Sequence, residues 1–317
     1  MGTLIGHVGP GFGFFVIGLW HLYQNLRLLA LKGPSMYKSR PWFPSDHGLL
    51  RRLELYLIIT GCSLSVAMEL FIGPEKHQPF DSDGTIPSNH LHNFEHSSIS
   101  LTFLVYAFFA LVLDKWATRP VPAQQDVLQF MGALAFAQQL LLFHLHSTDH
   151  MGVEGQYHWL LQLVVFVSLA TTLLGIGRGA ASFVVAFVRS LSIMFQGVWL
   201  MVMGFALWTP GLIAKGCFMH LEEGHKVVRC DGEESLHRAK ALVNIQFSWF
   251  LILLAVFAAA SYMFMMIVYG NRTVEYRAML SSSTDEEEDD VEAQKKISNF
   301  AETQGFGNNK VIDHMER

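Results

Sequence analysis

LVNIQFSWFLILLAVFAAASYMFMMIVY, residues 242–269, holds no charged side chain. About 20 mostly apolar residues suffice to cross the hydrocarbon of a bilayer, so this segment is long enough to span one. Six further stretches approach the same length and character: Gly9 to Ala30, Leu53 to Ile72, Ser97 to Leu113, Val127 to His146, His158 to Gly177, and Phe183 to Leu207. The composition agrees, with 51% hydrophobic and 15% charged residues in 317, where a soluble domain carries about 25% charged. A water-soluble core of this size could not bury such blocks on every side. The expected fold is all-α, a seven-transmembrane helix bundle over residues 1–271 followed by a disordered acidic C-terminal tail over 272–317.

Charge sets further limits. The chain has 22 Lys+Arg against 27 Asp+Glu, a net charge of −5, so no basic surplus exists to neutralise phosphates, and no nucleic acid is expected as a partner. The imbalance is local, because Asp285, Glu286, Glu287, Glu288, Asp289 and Asp290 follow one another, after Ser281, Ser282, Ser283 and Thr284. Such a segment is disordered by composition; it reads as a solvated tail or as a contact for cytosolic protein partners, while the spans face membrane lipids. The first span has neither the basic lead nor the cleavage site of a signal peptide, so it is expected to stay in the mature protein.

Lys and Arg in short loops give the orientation, since cytoplasmic loops hold the excess. Arg27, Lys32, Lys38, Arg40, Arg51 and Arg52 cluster around the first connection, Lys115 and Arg119 lie in the third, Arg178 in the fifth, and Arg272 and Arg277 beyond the last span. The second connection has Lys76 among Glu75, Asp81 and Asp83, and the fourth has Asp149 and Glu154 without a base; the sixth is the exception, where Lys215, Lys226, Arg229 and Arg238 are offset by Glu222, Glu223, Asp231, Glu233 and Glu234. The N-terminus is therefore expected outside or in a lumen, and the C-terminus in the cytosol. Cys217 and Cys230 then share an oxidising compartment in the sixth connection, either as a disulfide or as two thiols.

Ionisable groups inside spans are costly and count as functional candidates. Of 15 histidines, His7, His92, His96, His144, His146, His150, His158, His220 and His225 all map to the non-cytosolic side, and Glu69 near the end of the second span reaches the same level. His92 and His96 are four apart, so both project from one helix face, as a two-ligand metal clip requires. His144 and His146 are about 200° apart round a helix, whereas Gln139, Phe143 and His146 share a face, as do His158 with Gln162 and Cys62 with Ser65 and Glu69. The candidate metal ligands are His92, His96, His144, His146 and His158. Imidazole with carboxylate suits Zn²⁺, and a metal-bound water with Glu69 as proton acceptor would hydrolyse an amphiphilic substrate, as membrane hydrolases of lipid amides do. Glu95, Asp149, Glu154 and Gln162 are available to orient the rings.

Two other readings stand beside this one. The histidines either hold helices together in a non-catalytic scaffold or trafficking protein, or they relay protons in a proton- or metal-linked transporter. A transporter would want polar residues on both sides of the midplane, and the cytosolic half offers few beyond His21, Gln24 and Asn25. Gln196 with Trp199, and Asn244 with Gln246 and Trp249, place amides and indoles within the sixth and seventh spans, where interhelical hydrogen bonds are the default. Arg189 is expected to snorkel to the cytosolic interface. Gly9, Gly11 and Gly13 are expected to serve close helix packing.

These residues, taken in order, resemble the transmembrane protein 45 family of seven-span proteins, also described by a domain of unknown function and found in animals and plants. The opening GHVGPGFGFFVIGLWHL is similar to the family's N-terminal signature, and VAMELFIGP to its second-span ending, which puts Glu69 on the family's glutamate. HNFEHSSIS and HLHSTDHMGVEGQYHWLLQLVV are similar to its two histidine segments, with His92, His96, His144, His146 and His158 on matching positions. RSLSIMFQGVWLMVMGF resembles its sixth span, including Gln196 and Trp199. The family commonly has an arginine soon after the His-x-His pair and a second His-x-His ending at the position of His158, where this sequence has Thr148 and Gln156. The resemblance runs from Met1 to about Asn271; it implies a seven-span membrane fold and a plant member of the family, and it carries no activity of its own.

Overall fold

A computed structural model describes residues 3–45, 48–73, 77–116, 122–145, 151–222 and 225–305, and of 271–305 the backbone course alone. The helices are α1 Leu4–Lys32, α2 Leu53–Ala67, α3 Leu91–Trp116, α4 Pro122–Leu145, α5 Gly152–Leu174, α6 Phe183–Trp208 and α7 Glu233–Gly305. Seven segments are long and apolar enough to cross a membrane. Large apolar side chains such as Phe12, Leu64, Phe166, Trp249 and Phe264 point outward, which a bilayer rewards and water does not.

Helix ends follow local chemistry. Thr3 caps α1 by accepting a hydrogen bond from the Gly6 amide at 3.0 Å, and Gly33, at φ 73°, closes it. Pro10 lies in the second turn without ending the helix. The Met68–Ile72 segment continues α2 as a π-type turn, a geometry that frequently marks functional sites. Helix α3 begins at Leu91 rather than near Ser97, so His92 and His96 lie within its first turns.

Contacts along the chain show an up-and-down bundle. Arg52 meets Asp114, Ser65 meets Ser100, Thr102 meets Gln138, Gln129 meets the Thr172 carbonyl, and Ser168 meets Ser192. Each pair joins the start of one helix to the end of the next, or midpoint to midpoint. Helix α6 is the centre: 72% of its apolar window is buried, against 6% for α7. Around Trp199 it gathers Tyr157, Leu161 and Val165 of α5, Phe136 of α4 and Val243 of α7, with Phe247 stacked edge-on at 4.8 Å.

The most extensive seam joins α1 to α6, antiparallel, through Gly11 and Gly18 on one side and Gly197 and Gly204 on the other. Each pair is seven residues apart, two helical turns, so each presents a flat strip to its neighbour. A Cβ on Gly18 would run into the Met194 backbone, and one on Gly197 into the Phe15 amide. The anticipated stripe of Gly9, Gly11 and Gly13 is thereby corrected: only Gly11 meets α6, while Gly9 and Gly13 face open space. Residues two apart lie on nearly opposite sides of a helix.

The sixth connection is not a plain loop. It forms β1 Cys217–Glu222 and β2 His225–Cys230, paired antiparallel with Cys217 opposite Cys230. The two cysteines form a disulfide, while Cys62 is free and half-buried in α2. Arg229 grips Glu222 with Nε at 2.7 Å from Oε1 and a second bond to Oε2, and that guanidinium holds the Glu222 carboxyl below its usual range.

The bundle forms one compact unit, Met1–Met263, and Phe264–Arg317 a second. Of the tail expected to be disordered, the structure describes only a backbone course, as far as Gly305.

Replacing Gly18 or Gly197 by Ala forces the α1–α6 seam apart. The expected loss is about 1–3 kcal/mol, read as a lower unfolding temperature of the purified protein in detergent. Gly13→Ala, facing open space, leaves that temperature unchanged or raises it.

Candidate functional site

The histidines gather at the bundle end where α1 begins, but in two groups. In the first, Glu69 on the π-type turn accepts a hydrogen bond from Asn93 Nδ2 at 2.7 Å and lies 3.4 Å from His96 Nδ1. His92 is one turn away, its ring centroid 6.4 Å from that of His96. The i, i+4 spacing thus puts the two imidazoles on one helix face, with His96 beside Glu69. In the second group His158 donates from Nδ1 to the Glu154 carbonyl at 3.0 Å, and its ring meets His7 at 5.8 Å and Phe143 at 6.3 Å. His7 stacks on Trp208 at 4.5 Å. His144 donates to Gln162 Oε1 at 3.3 Å, and the Gln162 amide donates to the Phe143 carbonyl.

Among the described residues, no three His, Cys, Asp or Glu side chains come together to hold a metal ion. His92, His96 and Glu69 belong to the α2–α3 pair, and His144 and His158 to α4 and α5. His146, Thr148, Asp149 and His150 lie outside the described residues, as do Glu75, Lys76, Arg119 and Glu223 and the side chains of His225, Arg272, Arg277 and the acidic run.

Another ionisable cluster is at the opposite end of the bundle. Glu54, in the first turn of α2, is 5% exposed; its Oε1 lies 2.7 Å from His21 Nε2 of α1, and its Oε2 accepts the Phe43 amide at 2.8 Å. One turn along α1, Asn25 donates to Ser190 of α6 at 3.1 Å and accepts from the Tyr37 hydroxyl at 2.6 Å. Burial pushes the Tyr37 phenol up to about 12, so it stays protonated and keeps donating. Arg189 of α6 donates to Ser39 Oγ at 3.2 Å and to the Arg40 carbonyl at 2.9 Å.

Arg189 therefore does not snorkel to the interface: it is 4% exposed. The reason is the first connection, which turns inward and buries Tyr37, Ser39, Trp42 and Phe43 beneath the helix ends. There Ser39 donates to the Ala180 carbonyl at 2.8 Å, and the Pro41 carbonyl accepts from Tyr106 at 2.9 Å. The guanidinium meets backbone and hydroxyl acceptors before it could reach water. Of this cluster the sequence had singled out only His21, Asn25 and Arg189. Glu54 had a legible signal, a lone carboxylate inside an apolar run; Tyr37 and Ser39 had none, because nothing local marks a loop as inward-turned.

Between the two ends, α6 supplies a run of buried polar groups. Ser192 bonds to Ser168 of α5 at 3.0 Å, and Trp199 Nε1 donates to the Tyr157 carbonyl at 3.1 Å. Tyr157 in turn donates to Gln246 of α7 at 2.7 Å. Gln196, one turn beyond Ser192, is wholly buried, and neither atom of its amide has a hydrogen-bond partner among the described residues.

Residues 125–263 match the family of unknown function DUF716. The chain is 29% identical to transmembrane epididymal protein 1 of Rattus norvegicus over 221 residues, covering 66% of this chain and 68% of the relative. It is 26% identical to transmembrane epididymal protein 1A of Mus musculus over 220 residues, with the same coverage. These likenesses and the seven apolar helices agree on a multi-pass integral membrane protein. Both relatives come from rodents, and neither bears on a plant source.

Glu54→Ala strands the His21 imidazole and the Phe43 amide inside the bundle, at an expected cost of about 2–5 kcal/mol. Glu69→Ala, whose side chain is 18% exposed, costs about 1 kcal/mol. Thermal unfolding of the two purified variants checks the order.

Proposed function

We propose that this seven-span protein moves protons across its membrane, alone or coupled to a solute, with His21 and Glu54 as the protonation centre. The carrying observation is the 2.7 Å contact between His21 and Glu54 inside the bundle. Two titratable groups that share a proton in a dry site change their joint charge by one when a proton arrives or leaves. Intramembrane carboxylates and imidazoles of this kind mark proton relays. Arg189 supplies a fixed positive charge on α6, and the hydroxyls of Tyr37 and Tyr106 face the same region from the first connection and α3.

The reading also answers the demand for polar groups on both sides of the midplane. His7, His96, His144 and His158 supply titratable rings at one end, and the His21–Glu54 pair supplies them at the other. Ser190, Ser192, Gln196 and Trp199 succeed one another along α6 between the two. An amide with donor and acceptor both open, as in Gln196, suits a bound water that passes a proton. A scaffold needs neither the buried ion centre nor that open amide, and metal-dependent hydrolysis needs ligands that the described histidines do not bring together. By the charge of the short loops, the His21–Glu54 end faces the cytosol.

Glu54→Gln keeps both hydrogen bonds, since its oxygen accepts from Phe43 and its amide donates to His21, but it cannot titrate. In proteoliposomes carrying a pH-sensitive dye and a permeant counter-ion, an imposed gradient should collapse faster with the wild-type protein than in empty vesicles. Glu54→Gln should return the rate to that of empty vesicles, and Glu69→Gln should leave it near wild type. A wild-type rate equal to empty vesicles, or a Glu54→Gln rate equal to wild type, overturns the proposal and leaves the scaffold reading.

A further inference from the structure

A cleft of about 280 Å³ opens at the basic end of the bundle, between the first connection, the start of α4 and the turn from α5 to α6. Lys38, Ser39, Gln125, Asp126, Gln129 and Arg178 line it, with Gly175 and Gly177 in its wall. Three hydrogen bonds hold these walls in place. Ser39 donates its amide to the Ala180 carbonyl at 2.8 Å, Gln129 donates to the Thr172 carbonyl at 3.1 Å, and Gly177 donates its amide to Asp126 at 2.8 Å. Ser39 and Gln129 are 6% and 5% exposed, so the inner wall is fixed and polar. Gly177 sits at φ 61°, and a Cβ on Gly175 would press on the Gln129 amide, so the turn approaches α4 because it is built of glycine.

Its charge is concentrated at the mouth. Lys38 and Arg178 are both exposed there, while the one carboxylate, Asp126, already accepts a backbone N–H. The cleft lies at the level where α5 ends and α4 begins, which is the depth of lipid headgroups. The same end carries Lys32, Arg40, Arg51, Arg52 and Lys115, the pattern of a face turned toward an anionic leaflet. Basic pockets between spans on that side take phosphate headgroups, with guanidinium binding phosphate oxygens in pairs and ammonium acting as a point charge.

We infer that this cleft binds the phosphate of an anionic membrane lipid headgroup, held by Lys38 and Arg178 against the Ser39 and Gln129 wall. The inference stands apart from the proton reading, because none of its lining residues is His21 or Glu54. It is tested on the full chain in neutral detergent by thermal unfolding, with phosphatidylglycerol or phosphatidylcholine added, or with glycerol 3-phosphate as the soluble counterpart. Phosphatidylglycerol should raise the unfolding temperature of the wild type above the value in phosphatidylcholine. K38Q/R178Q should lose most of that excess, and K215Q/R238Q, which removes two exposed charges from the other end, should keep it. Absence of any excess in the wild type, or an equal excess in K38Q/R178Q, overturns the site. An equal shift with glycerol 3-phosphate overturns the assignment to lipid and leaves a soluble phosphate as the ligand.

Discussion

A guanidinium inside a membrane bundle has to find its acceptors in the protein, because lipid offers none. Arg189 meets this demand with Ser39 and the Arg40 carbonyl, and those acceptors exist only because residues 37–43 fold under the helix ends. The inward turn then presents the Phe43 amide to Glu54 and the Tyr37 hydroxyl to Asn25. One buried cation thus accounts for the course of a loop, the environment of His21, and the inner wall of the neighbouring cleft. Paired and hydrogen-bonded in this way, such groups contribute to a unique arrangement more than to raw stability.

The glycine seam between α1 and α6 makes this geometry reachable. Close approach of the two backbones at Gly11, Gly18, Gly197 and Gly204 brings His21 and Asn25 to the level of Arg189 and Ser190. Helix α6, already the most enclosed of the seven, becomes the axis along which polar groups can persist at low exposure. The same enclosure makes the open amide of Gln196 conspicuous, since a buried polar group without a partner carries a penalty of about 1–3 kcal/mol.

Legibility was uneven, for physical reasons. Seven spans could be read because hydrocarbon imposes one length and one polarity on every helix that crosses it. That His92 and His96 share a helix face was readable from their i, i+4 spacing, because it depends on one helix alone. Whether His92, His96, His144 and His158 would gather at one place was not readable, since it depends on the azimuth at which α3, α4 and α5 face one another.

By itself the amino-acid order determined that the chain is a bundle of seven apolar helices and which polar groups stand on one face. Those properties are local, set by chain geometry and by transfer from water to hydrocarbon. Only the tertiary structure decided that Glu54 and His21 meet, that Arg189 is enclosed, that Cys217 and Cys230 join across a hairpin, and that Lys38 and Arg178 share a cleft. Each of these brings together segments distant in the chain or turned by an intervening loop, and their meeting is a property of packing angles that no residue carries alone.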